Sequence, residues 1–256
     1  MANPDGAPIW YELMSSDADA SKKFYDDVVS WTIEPKASGD IDYRMITASD
    51  GVNVGGVMQM TAEMRAEGTK PTWLFYIGVQ DVDGTAEKIK QLGGSVQMGP
   101  ADIPDVGRFA LVADRQGMVF YIMRGDSRED SQAFQVNTPG HPAWNELVTS
   151  DHKVALAFYG ELFGWENEET MPMGEMGDYA FIDHAGVRIG AMMTAGAGWP
   201  TRWTYYFNVP SIDAAKERIE KAGGAVTQEP HEVPGGMFTL QGTDPQGAAF
   251  ALVGGK

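Results

Sequence analysis

Two glutamates, Glu12 and Glu146, are the carboxylates whose placement first suggests chemistry. Each stands two residues after a tryptophan, in Trp10-Tyr-Glu12 and Trp144-Asn-Glu146. Both triplets lie in short alternating runs that read as β-strands. Residues two apart on a strand share a face, so each carboxylate looks out beside an indole. A carboxylate on an aromatic wall needs a hydrogen-bonding partner or a raised pKa. It then either caps amides or pairs with an arginine, or it serves as a ligand acceptor or general base. A metal ligand is a third role. Glu12 and Glu146 are the candidate catalytic residues.

Other reactive side chains are sparse. The four histidines, His141, His152, His184 and His231, fall in expected loops or turns. None has a second histidine at i+2, i+3 or i+4, which predicts scattered exposed rings rather than a metal site. Arg44 and Arg188 read as surface residues. Arg108 and Arg202 are flanked by apolar strands and are better placed to meet an anionic group. The chain has no cysteine, which excludes thiolate nucleophiles, thiolate metal sites and disulfides. No glycine-rich phosphate loop, nucleophile elbow or paired-carboxylate motif is present.

The elements that must position these residues occur twice. Residues 8–31 match 142–165 at an offset of 134: Pro8/Pro142, Trp10/Trp144, Glu12/Glu146, Leu13/Leu147, Ser16/Ser150, Asp17/Asp151, Phe24/Phe158, Tyr25/Tyr159 and Trp31/Trp165. The match resumes at an offset of 130, with Trp73/Trp203, Tyr76/Tyr206, Gly93/Gly223, Gly94/Gly224, Asp114/Asp244, Gln116/Gln246, Gly117/Gly247 and Phe120/Phe250 among its identities. A period near 130 residues marks a duplicated domain, not a solenoid unit. The expected division is a first domain at 7–124, a polar linker at 125–140 ending in Thr-Pro-Gly, and a second domain at 141–254.

Within one copy, a strand at 8–14 precedes a helix opened by Ser16 or Asp17, with Phe24, Val28 and Trp31 on one helical face. Strands follow at 41–48 and 52–60, with counterparts at 178–183 and 186–194. The aromatic run 73–79 is a further strand. A second helix at about 83–92 stops at Gly93-Gly94, and 109–113 with 118–123 forms a hairpin. This order reads as βαβββ twice per copy, an α+β class.

Charge and composition narrow the partners. The net charge is −17, spread over both halves, with 43% hydrophobic and 21% charged residues. Such a surface repels nucleic acid and anionic membranes. No apolar run approaches the length of a membrane span. The stretch MANPDGAPIW lacks the basic and apolar regions of a secretory signal, so a cytoplasmic protein is expected.

The chain resembles a two-domain member of the vicinal oxygen chelate superfamily, the glyoxalase, bleomycin-resistance and extradiol-dioxygenase group. The resemblance rests on the strand with a buried polar position, the aspartate-opened helix ending in Phe-Tyr, Phe163-Gly164-Trp165, the helix closed by Gly-Gly, and the late Asp114-Arg-Gln-Gly117 and Asp244-Pro-Gln-Gly247. These motifs recur in order over almost the whole chain. The resemblance implies a tandem pair of domains, each with two βαβββ modules forming a cupped mixed sheet around a pocket. It also implies a divalent metal held by His, Gln or Glu from three strands. Here those positions hold Trp10, about Leu74, and Tyr121 in the first copy, and Trp144, about Thr204, and Ala251 in the second. None is a metal ligand of that kind, so no metal and no other cofactor is expected.

Aromatic residues are dense around the implied pocket. Most belong to the core, and a minority lining the cavity favours an apolar or aromatic small molecule. Trp10, Trp144, Tyr76, Tyr206, Tyr121 and Arg202 are the candidate binding residues. The leading expectation is a metal-free protein binding a small organic molecule, as an internal pseudo-dimer or a homodimer. The alternatives are a lyase, isomerase or hydrolase with a pocket glutamate as base, and a metal-dependent glyoxalase or dioxygenase with atypical ligands.

Overall fold

Alternation around Trp10 and Glu12 builds the first strand, β1 (Pro8–Ser15), and Asp17 starts α1 (Ala18–Val28) by accepting the amide of Ala20. The computed structural model describes residues 3–36, 39 and 41–256. The first copy continues with β2 (Thr32–Ile33), β3 (Tyr43–Thr47), β4 (Asn53–Gln59), α2 (Ala62–Ala66), β5 (Thr72–Gly78), α3 (Val82–Gln91), β6 (Ser95–Ile103), β7 (Gly107–Ala113) and β8 (Val119–Gly125). The second copy has β9 (Pro142–Thr149), α4 (His152–Phe163), β10 (Thr170–Pro172), a single 3-10 turn at Gly174–Met176, β11 (Asp178–His184), β12 (Val187–Thr194), β13 (Arg202–Ser211), α5 (Ile212–Lys221), β14 (Ala225–Val233), β15 (Met237–Thr243) and β16 (Ala249–Gly255).

Each copy forms one mixed eight-stranded sheet. The orders are β2-β3-β4-β1-β5-β8-β7-β6 and β10-β11-β12-β9-β13-β16-β15-β14, the same topology twice. The class is α+β, as the repeat reading predicts. No helix among the described residues is long and apolar enough to cross a membrane.

Local chemistry explains the boundaries. Asp151, Asp81 and Ser211 cap α4, α3 and α5 by accepting first-turn amides. Gly93 follows α3 at φ 86°, and the amide of Gly94 reaches back to the Ile89 carbonyl, the six-to-one closure that a left-handed glycine permits. Trp31 does not ride on α1, which ends at Val28; Ser30 turns the chain at φ 65° and sends the indole into the core separately. Strands β6 and β14 carry little buried surface, so they lack the alternation that marks the others. The short α2 buries nothing and carries no periodic signal.

Packing divides the described chain into two compact units. One comprises residues 1–9, 75–131 and 144–203, and the other 10–74, 132–143 and 204–256. Each unit thus draws one module from each copy. In the 10–74 unit, Tyr25 lies among Phe24, Trp31, Trp73 and Phe250, and Phe207 meets both Trp31 and Trp73. In the 75–131 unit, Tyr159 stacks on Trp165 at 5.1 Å and meets Phe120, Phe163 and Trp203.

One polar lock recurs inside each of these cores. Trp73 donates its indole N–H to the Tyr25 hydroxyl (2.9 Å), and Tyr25 donates to Asp244 Oδ2 (3.2 Å). In the other unit Trp203 donates to Tyr159 (3.3 Å), and Tyr159 to Asp114 Oδ2 (3.2 Å). The other oxygen of each aspartate accepts two turn amides, Gln116 and Met118 for Asp114, and Gln246 and Ala248 for Asp244. This is why the late Asp-x-x-Gly is built as it is: the aspartate organises the hairpin turn and receives the tyrosine. Burial pushes both carboxyls above their ordinary range against these bonds.

Candidate functional site

Strand faces decide which side chains are available. On β1, Ser15 lies 2.7 Å from Ser21 of α1, so Ser15, Leu13 and Tyr11 face the helix. Trp10, Glu12 and Met14 therefore face away from it. Trp10 donates its indole N–H to the Tyr43 hydroxyl of β3 at 2.8 Å. Glu12 is almost wholly buried and pairs in register with Gly56 of β4. A side chain at Gly56 would run into the Tyr43 ring, so the glycine makes room for the phenol above the glutamate. The same unit contains Tyr206 of β13, which faces Ala251 in register and accepts a hydrogen bond from Gln241 Nε2 at 3.0 Å.

The other unit holds the equivalent wall of the second copy. Trp144 donates to the Tyr179 hydroxyl of β11 at 3.0 Å, and Tyr179 donates to Glu146 Oε2 at 2.8 Å. Because the phenol oxygen already accepts the indole N–H, its single proton is directed at the carboxylate. Phe181 extends the wall, with its ring centroid 6.0 Å from Trp144 and 5.6 Å from Tyr179. Ala191 lies opposite Glu146 where Gly56 lies opposite Glu12. This unit also contains Tyr76 of β5 stacked on Tyr121 of β8, with centroids 4.2 Å apart and planes 14° apart, and Phe109 beside Tyr121. Arg202 opens β13 and is half-buried.

Several expectations need correction. The histidines are not scattered on the surface. His141, His152 and His184 are buried, and only His231 is exposed. His141 is held by the Ala133 carbonyl (2.9 Å) and Asp50 Oδ2 (3.0 Å), His152 by Thr194 (2.8 Å), and His184 by the Asp5 carbonyl (2.8 Å). They hold chain segments in place. His152 is the first residue of α4, His184 ends β11 and His231 lies in β14, so only His141 is in a loop. Arg44 is not a surface residue either: it is 1% exposed, bidentate to Asp42 and bonded to Asp19. Arg108, read as the more promising, is bound by Asp83 and Asp102 at the surface. Arg188 lies 4.2 Å over the Phe181 ring and pairs with Asp183 and Glu169. Trp73, Trp203 and Tyr205 belong to the core, as expected of most of the aromatic residues, and the candidate binding residues Tyr76, Tyr121 and Tyr206 are buried as well.

With this geometry in view, likeness to known proteins is informative. A model of the Glyoxalase/Bleomycin resistance protein/Dioxygenase superfamily matches residues 8–122 and again 138–252. The chain belongs to that superfamily. CFP32 of Mycobacterium tuberculosis (strain CDC 1551 / Oshkosh), described as a candidate glyoxylase, is 33% identical over 97% of this chain and 94% of the relative. The anthracycline biosynthesis protein DauV of Streptomyces sp. (strain C5) is 31% identical over 97% and 93%. Among solved structures, the Mn(II)-bound glyoxalase from Novosphingobium aromaticivorans gives a TM-score of 0.65 at 16% identity, covering 98% of this chain and 83% of that one. The 2,3-dioxygenase LapB from Pseudomonas sp. KL28 gives 0.67 at 13%, covering 99% and 94%. At such identities the structures speak to fold.

The superfamily's metal does not fit the residues present. Trp10, Leu74 and Tyr121 of one copy, and Trp144, Thr204 and Ala251 of the other, supply neither imidazole nor carboxylate. Among the described residues no group of three or more His, Cys, Asp or Glu could hold a metal ion.

Tyr43 and Tyr179 are the wall residues that sequence reasoning missed. They align only at an offset of 136, between the two matching blocks, so the repeat did not draw attention to them. Tyr25 and Tyr159 were visible as identities, but their aspartate partners lie in the opposite copy.

Proposed function

We propose that the chain binds a small, apolar or aromatic organic molecule against its Trp-Tyr-Glu walls, without the superfamily's metal triad. The observation that carries this reading is the directed chain from Trp144 through Tyr179 to Glu146. A carboxylate set in an aromatic wall and held by a fixed phenol recognises a ligand that brings a hydrogen-bond donor, such as a hydroxyl. Trp10, Tyr43 and Glu12 repeat the residue types in the other unit. Tyr76 and Tyr121 add an apolar stacked surface, and Tyr206 and Arg202 are assigned to ligand contact. The relative named for anthracycline biosynthesis supports an aromatic ligand class.

A second reading makes the same glutamate a general base in a lyase, isomerase or hydrolase, and the relative described as a candidate glyoxylase favours it. One experiment bears on both. Tryptophan quenching is titrated with a panel of hydroxylated aromatic compounds in the parent, Glu12→Gln and Glu146→Gln. Binding without turnover, weakened about tenfold by loss of a charge-assisted bond, supports the binding reading. Turnover abolished by either Gln variant supports the catalytic one. If both variants bind and turn over the ligands like the parent, neither glutamate belongs to the site. Elemental analysis after dialysis without chelator should find well below one equivalent of transition metal per chain; a full equivalent overturns the metal-free part.

A further inference from the structure

Away from the glutamate walls, the 10–74 unit has an open cleft of about 490 Å³ between α1 and α5. Lys23 and Asp27 of α1 line it, with Arg218 and Lys221 of α5. Phe24 and Pro245 supply apolar surface. Three cations against one anion is a reversal in a chain where 36 acidic residues face 19 basic ones. The other unit has a smaller cleft at the equivalent place, about 290 Å³, lined by Arg115, Lys153 and Glu161.

Lys23 and Lys221 are not shared by the duplication, whereas Arg218 has a cation, Lys88, at its repeat position. By the repeat offsets Lys23 aligns with Ala157, Lys221 with Gln91, Lys153 with Asp19, and Arg115 with Pro245. The two clefts reach a basic character through different positions. Arg218 is also fixed in place. Its Nε and Nη2 donate to the Val28 carbonyl at 3.3 and 3.1 Å, which holds the guanidinium at the end of α1. Lys23 makes no ion pair with any described residue. Among the described residues Lys221 reaches only Glu217, at 3.6 Å, where both side chains are largely exposed.

We infer that the α1–α5 cleft is a second ligand site, one that takes a compact polyphosphate group. An anchored guanidinium flanked by two exposed ammonium groups matches a multiply charged tetrahedral anion. The net charge of the lining suits a dianion or higher, and the acidic surface outside the two clefts repels such an anion. Free pyrophosphate and the phosphate tail of a nucleotide share this chemistry.

The test is calorimetric titration of the whole chain with inorganic pyrophosphate at low salt and at physiological salt. Saturable one-to-one binding that weakens as salt rises is expected. Lys23→Gln combined with Lys221→Gln should weaken it at least about tenfold with an unchanged melting temperature, since two close charges are lost from an exposed site. Lys153→Gln, in the other cleft, should leave the affinity within about twofold. Absence of saturable binding overturns the proposal. So does an equal loss in Lys153→Gln and the double variant, which shows diffuse attraction instead of a site. A nucleoside triphosphate titrated in parallel identifies the source: tighter binding than pyrophosphate points to a nucleotide, and equal binding to the phosphates alone.

Discussion

A single atom distinguishes two sites that the duplication made equivalent. In the first copy, Ser15 Oγ accepts the Asp17 amide and sits 2.7 Å from Ser21 Oγ, which donates to Gln246. In the second copy Thr149 replaces Ser15 and Ala155 replaces Ser21. Thr149 Oγ1 is buried and has no partner among the described residues. A buried hydroxyl left unpaired costs about 1–3 kcal/mol. Ala155→Ser restores the missing oxygen in a frame that accommodates it in the other copy, and Thr149→Val removes the need for it. Each is expected to stabilise the chain by about 1 kcal/mol, read as a melting point about 2–4 °C higher. No gain in either variant means that the hydroxyl is already satisfied. The wall gives a second prediction at this scale. Tyr179→Phe deletes the proton aimed at Glu146 and leaves the Trp144 N–H without its acceptor. Ligand quenching of the tryptophans should weaken by about threefold to tenfold, whereas unchanged binding separates Glu146 from the ligand.

At the scale of elements, the turn before β8 and the turn before β16 are tied to helices of the opposite copy through Tyr159–Asp114 and Tyr25–Asp244. Burial, then the charge of Asp244, pushes the Tyr25 phenol well above 10, so it remains a donor through the physiological range. The two aspartates are shifted upwards, and this fixes the sign of their pH dependence. Below the unfolded value of about 3.9 both states hold the proton and the burial cost is absent. As pH rises above that value the unfolded chain ionises while the fold keeps its proton, so the contribution turns unfavourable until the raised native value is passed, and is constant above it. Asn lacks this term. The melting temperature of Asp244→Asn minus that of the parent should therefore increase from about pH 4 upwards and then level off once Asp244 is ionised in the fold. A flat difference would mean an ordinary carboxyl. Helix ends and most strands were legible in the sequence because capping and alternation are local. The tyrosine–aspartate locks were not, since the chemistry that pairs residues 25 and 244 leaves no local trace. Glu12 and Glu146 were legible through strand periodicity, whereas Tyr43 reaches its wall through the register of β3 on β4.

For the whole molecule, the exchange of modules between copies sets what a single copy can do. Each compact unit takes one module from each copy, so residues 1–126 alone supply α1 without Asp244 and Phe250, and Asp114 without Tyr159. An isolated first copy would expose Tyr25, Trp73 and Phe120 and leave a buried carboxylate without its phenol. A second first copy resolves this, because Asp114 and Phe120 stand at the repeat positions of Asp244 and Phe250. Tyr25 of one chain can then meet Asp114 of the other, with Ile77 standing where Phe207 stood. The smaller isoleucine leaves the aromatic cluster less filled, and loss of such a contact costs about 2–4 kcal/mol at each of two sites. Residues 1–126 are therefore expected to form a homodimer that is less stable than the parent chain, seen as a dimeric mass by light scattering and a concentration-dependent melting point. Tyr25→Phe in that fragment should weaken the dimer, because both locks are lost together. A folded monomer with native near-ultraviolet circular dichroism would show that one copy satisfies its own core, and the exchange of modules would then be incidental to stability.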